Sequence, residues 1–244
     1  MKTVVAVSGL AAFLLWTSGP ARADEPSSSN VWQSSVAMGL NMTRGNSETL
    51  NTTVNLLAEK KEDPGSSWRI GADAAYGEDA VTTTVERVKA FIGCRQDISS
   101  RVYALIDVSV EHDSIADLEY RFIASPGLGY YFLRAETQTL SVESGPAFIR
   151  EKIGDEINDR FALRFAEKFE CKIGDDSKLW QSVEYLPGVD DLANYLVNAE
   201  IGAEAAVNAR LSLRLLWKDT YNSEPAEDRE QNDLSFNGAV VCKF

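Results

Sequence analysis

The 244-residue sequence carries 24 basic and 37 acidic residues, a net charge of −13, which argues against nucleic acid as a partner. Its three cysteines, Cys94, Cys171 and Cys242, are far apart with no Cys-x-x-Cys pair, and there is one histidine, so a zinc or redox cluster is not expected. No cofactor is expected either.

Lys2, an apolar run from Val4 to Trp16, a Gly19-Pro20 break and Ala21-Arg22-Ala23 read as a signal peptide over residues 1–23, cleaved after Ala23. Its removal lowers the basic count from 24 to 22 against 37 acidic residues, so the net charge becomes 22 − 37 = −15. The apolar run is too short for a lasting transmembrane helix, and no later segment approaches the roughly 20 apolar residues that such a helix needs. A membrane form of this chain must therefore be a barrel. A polar lead-in, residues 24–30, contains Ser27-Ser28-Ser29, and residues 31–244 read as one domain without a linker.

Alternating apolar and polar residues, broken by turn chemistry, run from one end of the domain to the other and predict two-faced β-strands. Strand 1 sets Val36, Met38, Leu40 and Met42 against Ala37, Gly39, Asn41 and Thr43. Strand 2 sets Leu50, Thr52, Val54 and Leu56 against Asn51, Thr53 and Asn55, and strand 3 sets Trp68, Ile70, Ala72, Ala74 and Tyr76 against Arg69, Gly71 and Asp73. Strand 4 opposes Val88, Ala90, Ile92 and Cys94 to Arg87, Lys89 and Arg95. Strand 5 opposes Val102, Ala104, Ile106, Val108 and Val110 to Asp107, Ser109 and Glu111. Strand 6 runs from Leu118 to Phe132 and strand 7 from Leu140 to Phe148; Pro126 and Pro146 within them predict a bulge or a shortened strand. Strand 8 sets Phe161, Leu163, Phe165 and Phe169 against Arg160, Arg164 and Lys168, with Glu167 breaking the apolar face, and strand 9 covers about 178–187. Strand 10 opposes Tyr195, Val197, Ala199, Ile201, Ala203 and Ala205 to Asn198, Glu200 and Glu204. Strand 11 opposes Leu211, Leu213, Leu215 and Trp217 to Arg210, Arg214 and Lys218, and strand 12 carries Leu234, Phe236, Val240 and Phe244. The count is about twelve, which predicts an all-β, antiparallel up-and-down transmembrane barrel.

Alternation alone also fits a soluble periplasmic ligand-binding barrel with its apolar face inward. Three features favour the outward, lipid-facing choice. The apolar face is nearly free of charge, whereas the polar face carries both signs and many Gly and Ala residues. Outward aromatics form two belts: Trp32, Trp68, Phe132, Phe169 and Phe244 at one level, Tyr76, Tyr120, Phe148, Phe161, Tyr185, Tyr195 and Trp217 at the other. Connections after even strands, such as Asp63-Pro64-Gly65 and Asn208-Ala209, are turn-like, while the longest, Asn222 to Gln231, follows strand 11. The expected location is the Gram-negative outer membrane, in contact with its lipid and lipopolysaccharide. Phe244, ending an alternating strand, resembles the signal that delivers such barrels to their assembly machinery.

Trp32, Gly39 and the run Thr43-Arg44-Gly45-Asn46-Ser47-Glu48-Thr49 resemble the salt-induced outer-membrane protein family, a domain of unknown function. Glu119-Tyr120-Arg121, Gly127-Leu128-Gly129-Tyr130 and Val142-Glu143-Ser144-Gly145 fit the same resemblance over nearly the whole mature chain. It implies an outer-membrane barrel linked to salt or envelope stress, with no assigned substrate or catalytic residue. Gly45-Asn46-Ser47 reads physically as a tight hairpin turn, since Gly and Asn tolerate positive φ.

The expected pore lining is Arg87, Lys89, Arg95, Asp107, Glu111, Arg160, Arg164, Lys168, Glu184, Glu200, Glu204, Arg210, Arg214 and Lys218. These charges either lock the lumen with salt bridges or line a narrow path for ions or small solutes. An enzyme is not expected, although His112 and Ser114 share a lipid-facing side as in outer-membrane phospholipase, so lipid hydrolysis is the alternative. An acidic rim of Glu78, Asp79, Asp155, Glu156, Asp190, Asp191, Glu224, Glu227, Asp228 and Glu230 either solvates loops or binds divalent cations shared with lipopolysaccharide. The cysteines, on strands four apart, are expected as free thiols facing lipid.

Overall fold

A computed structural model gives the arrangement of residues 31–44, 49–62, 65–79 and 82–244. The expected signal peptide, the lead-in, the Gly45-Asn46-Ser47 turn and Asp63-Pro64 lie outside the described residues, as do the side chains of Glu78 and Asp79. Twelve strands follow one another: β1 (Gln33–Arg44), β2 (Thr49–Glu62), β3 (Ser66–Asp79), β4 (Thr82–Asp97), β5 (Val102–Asp113) and β6 (Leu118–Arg134), then β7 (Gln138–Ile153), β8 (Glu156–Ile173), β9 (Ser177–Pro187), β10 (Tyr195–Ala206), β11 (Leu211–Asn222) and β12 (Asn232–Lys243). Each pairs antiparallel with its neighbours in sequence, and β1 pairs with β12 from Ser35↔Lys243 to Arg44↔Leu234. The sheet is a closed barrel and leaves no edge of unpaired backbone.

The two faces are those that the alternation predicts, and their polarity is inside-out. Leu40 and Leu213 are 57 % and 55 % exposed on the outer surface, whereas Tyr103 and Glu143, one position out of phase, are 0 % and 2 % exposed within. The inward-apolar barrel would demand the reverse, so that alternative is set aside. Outward aromatics gather in contact groups: Phe148 with Phe161 at 5.5 Å and Tyr195 with Tyr185 and Tyr221 at 5.6 Å each, and, on β6, Tyr130 with Phe132 at 5.1 Å. All three cysteines are free.

The longest connection, 223–231, follows β11 as expected, and the connections after even strands are all short; among those after odd strands only 188–194 is also long. One expectation needs correction. The prolines shorten nothing, since β6 and β7 run through them. The β6–β7 register passes from Ala124↔Phe148 to Leu128↔Ser144, so Pro126 stands opposite Pro146 and the ladder lapses only between those pairs. Two residues without an N–H share one rung, which confines the loss to a single place. On their other sides, Ile106↔Pro126 and Pro146↔Leu163 stay in register. The register irregularities fall elsewhere, at Gly77/Glu78, Glu111/Asp113, Leu118/Tyr120 and Tyr131/Leu133.

Small inward residues make room for large ones. A Cβ on Gly129 would strike the Tyr103 ring, and one on Gly202 would strike the Trp180 indole. Outward, the constraint is hydrocarbon rather than space. Replacing Leu40 with Arg should lower folding free energy in bilayers by about 2–4 kcal/mol, the cost of a cation near the midplane. Denaturant titration in lipid vesicles measures it, and a loss under about 0.5 kcal/mol would mean that this face does not meet lipid.

Candidate pore lumen

Strand pleating turns most of the charged residues of β3–β11 to the inside, and barrel closure brings them together across strands that are distant in sequence. The centre of the network is Glu143 on β7, whose side chain is wholly enclosed. Its carboxylate accepts from the Tyr103 hydroxyl at 2.8 Å, Lys168 Nζ at 2.9 Å and Arg164 Nη1 at 3.0 Å, and Arg95 Nη2 lies at 3.0 Å. Arg164 also donates to Glu184 at 2.5 Å and stands 3.5 Å from Asp107, so this one β8 side chain ties together β5, β7 and β9. The Arg95 guanidinium lies over the Tyr103 ring, 5.4 Å from its centroid, and Tyr131 packs on that ring at 4.7 Å.

Other groups occupy the two ends. Toward the mouth opposite the chain termini, Arg87 donates to Glu111 at 2.8 Å, Lys89 stands 3.4 Å from Glu111, and Arg121 donates to Glu151 at 2.5 Å with Arg160 3.7 Å away. Toward the termini, Glu204 accepts from Arg214 at 2.8 Å and pairs with Lys243 at 2.7 Å. The Trp180 indole N–H donates to Glu200 at 2.6 Å. Lys218 lies 3.6 Å from Glu200 and 3.7 Å from Asp73, spanning from β11 to β3.

Of the fourteen expected lining residues, thirteen sit on inward positions within this network. Arg210 does not: it is exposed in the turn 207–210, because β11 begins at Leu211. The expectation extended the even spacing of Arg214 and Lys218 one step too far. Glu143, Tyr103, Asp73, Arg121, Glu151 and Trp180 were missed, although period two already placed Glu143 out of phase with apolar Val142. The polar inner face also has an apolar patch. Ala147, Ile149, Ala162, Leu186 and Leu196, with Ile123 against them, form a buried cluster facing inward from β6–β10. Nearby, Pro225, Ala226 and Arg229 of loop 223–231 border a hollow whose other walls include Arg87, Glu111 and Arg121. That loop therefore reaches from β11 across the mouth to the opposite wall.

The acidic rim does not converge. Glu224 accepts from Asn194 at 2.5 Å, and among the described residues no three acidic, histidine or cysteine side chains gather around a common point. His112 and Ser114 do meet. The imidazole Nδ1 is 2.8 Å from the Glu119 carbonyl and Nε2 is 3.0 Å from Ser114 Oγ, which in turn donates to Glu86 Oε2 at 3.1 Å. Hydrolysis further requires donors for an oxyanion. The backbone N–H groups of Ser114, Ile115, Ala116 and Asp117 are all spent, on the Glu86 carbonyl, on Asp113 Oδ1 twice and on the Ser114 carbonyl. These four N–H groups are therefore already engaged within the fold.

Replacing Glu143 with Gln should cost about 3–5 kcal/mol, because three cations lose an enclosed counter-charge. Glu200→Gln, at a site that keeps water contact, should cost at most about 1 kcal/mol. Equilibrium unfolding of the two variants separates these outcomes, and equally small losses would show that water screens the centre as well.

Comparison with known proteins agrees with this architecture. The chain is 23 % identical over 214 residues to the uncharacterized protein YdiY of Escherichia coli (strain K12), covering 87 % of this chain and 81 % of that one. Among solved structures it resembles the NanC porin, with a TM-score of 0.59 at 9 % identity over 86 % of this chain and all of that one. It also resembles the COG4313 outer membrane channel from Pseudomonas putida F1, with a TM-score of 0.52 at 8 % identity over 91 % of this chain and all of that one. At such identities these likenesses establish the fold alone. Residues 36–244 match the family described as "Protein of unknown function, DUF481", and the chain belongs to that family.

Proposed function

We propose that the chain is a narrow, hydrated pore of the Gram-negative outer membrane that passes small ions or solutes. One observation carries the reading. Charged side chains enclosed by the barrel wall keep contact with solvent: Asp73, Lys89, Asp107, Glu184, Glu200 and Lys218 are 28–37 % exposed although they point inward. Side chains that filled a dry lumen would have almost no exposure. Twelve strands also lie between barrels of about eight, filled by side chains, and porins of about sixteen to eighteen, which leave an open channel. The porin and the channel of like fold are consistent with transport, and the apolar outer band with contact to membrane lipid. A signal peptide at the start and delivery to the assembly machinery through Phe244 belong to the same proposal. The second reading, a closed structural barrel, draws on the enclosed Glu143 cluster and on the loop across the mouth.

Planar-bilayer recording of the refolded mature chain decides between them. Discrete conductance steps are expected, and Lys89→Glu and Lys218→Glu should each shift selectivity toward cations, because these two exposed charges face the permeant ion. A folded barrel that inserts but never conducts would overturn the pore and leave the closed barrel.

A further inference from the structure

Glu167 breaks the outer surface where lipid should meet it. On β8 it lies between the outward Phe165 and Phe169, and Val142 of β7 and Val183 of β9 stand beside it in register. Among the described residues its hydrogen-bond partner is Gln181, whose Nε2 donates to Oε2 at 3.3 Å. Gln181 faces outward too, opposite Phe169. A carboxamide nitrogen carries two donors, so Gln181 keeps one N–H in reserve, and Glu167 keeps Oε1. Ser144, exposed one outward position along from Val142, adds a hydroxyl to the patch.

A carboxylate and an amide set among aromatic and aliphatic side chains need partners that an acyl chain does not provide. A second copy of the same surface provides them. Turned about a two-fold axis, each Gln181 can hold its own Glu167 with one N–H and the other copy's Glu167 with the second, so that both bonds repeat by symmetry. We propose that the outer face of β7–β9 is a self-association surface, through which two barrels pair in the membrane by reciprocal Glu167–Gln181 hydrogen bonds. This inference rests on the membrane reading above, though not on conduction.

The test is sedimentation equilibrium of the full mature chain in detergent micelles, with parallel refolding into lipid vesicles to establish insertion. The native chain should sediment as a two-chain species. Glu167→Leu should weaken association about tenfold, since it removes two hydrogen bonds of the strength that polar side chains form with one another inside a membrane. Glu167→Gln should retain association, since amides carry both donor and acceptor. The leucine variant makes the outer band more apolar, and heat-dependent gel mobility verifies that its barrel is intact. A photo-crosslinker at Val183 in native membranes should trap a second copy. A native chain that inserts yet stays single, a dimer that Glu167→Leu leaves unchanged, or crosslinks solely to lipid or to another protein would each overturn the proposal. A chain that fails to insert would overturn the membrane reading and this one with it.

Discussion

Hydrocarbon supplies no hydrogen bonds, and the whole architecture follows from that. Each N–H and C=O within the membrane span must find its partner in the chain itself, which for strands means a ladder on both sides and a seam that closes. The β1–β12 ladder provides the seam over ten register pairs, within the range of nine to sixteen that the internal ladders span. Once closure is imposed, pleating commits alternate residues to lipid and lumen. The apolar side chains go outward because a charge there is penalised, and polar residues are left for the inside. The facing prolines obey the same rule. Separate placement would have cost backbone pairing at two rungs, whereas opposition costs it at one and leaves the flanking ladders in register.

The lumen has the opposite problem, because charges of both signs must share a small space. Pairing resolves it in two ways with different energetic weight. At Glu143 the carboxylate is sealed from water and Arg164 nearly so, while Arg95 and Lys168 keep a partly exposed side, so removal of the shared carboxylate would strand the cations gathered on it. At Lys218, Asp73 and Glu200 the separations are 3.6–3.7 Å and solvent remains in contact, so each pair contributes little to stability.

The strands and their two faces were legible because period two is a local property that needs no knowledge of the partner strand. So were the free, outward cysteines. What could not be read depends on how far each strand slides against the next. That Arg164 would reach Asp107, or Lys218 reach Asp73, follows from register accumulated around the ring, and no window of sequence contains it. Arg210 was misplaced because charge spacing says nothing about where pairing stops; the strand ends when Val207 and Asn208 bond back to Leu211. His112 and Ser114 illustrate the converse. Their spacing correctly foretold that the side chains would meet, yet the chemistry turns on backbone N–H groups whose other partners the spacing does not reveal.

In the proposed pore, locked and loose charges would divide the work. A permeant ion must be attracted by the wall without being trapped by it, which requires charges that keep some hydration and are not saturated by their neighbours. Those charges hold their places only if the wall behind them is rigid. The Glu143 cluster supplies rigidity where β4, β5, β7 and β8 converge, with Arg164 extending it to β9. Beside it, Asp107 and Glu184 are each held by Arg164 on one side and open to water on the other. Residues that touch both regimes, Arg164 first among them, are the ones through which a change in the fixed layer would reach the hydrated one.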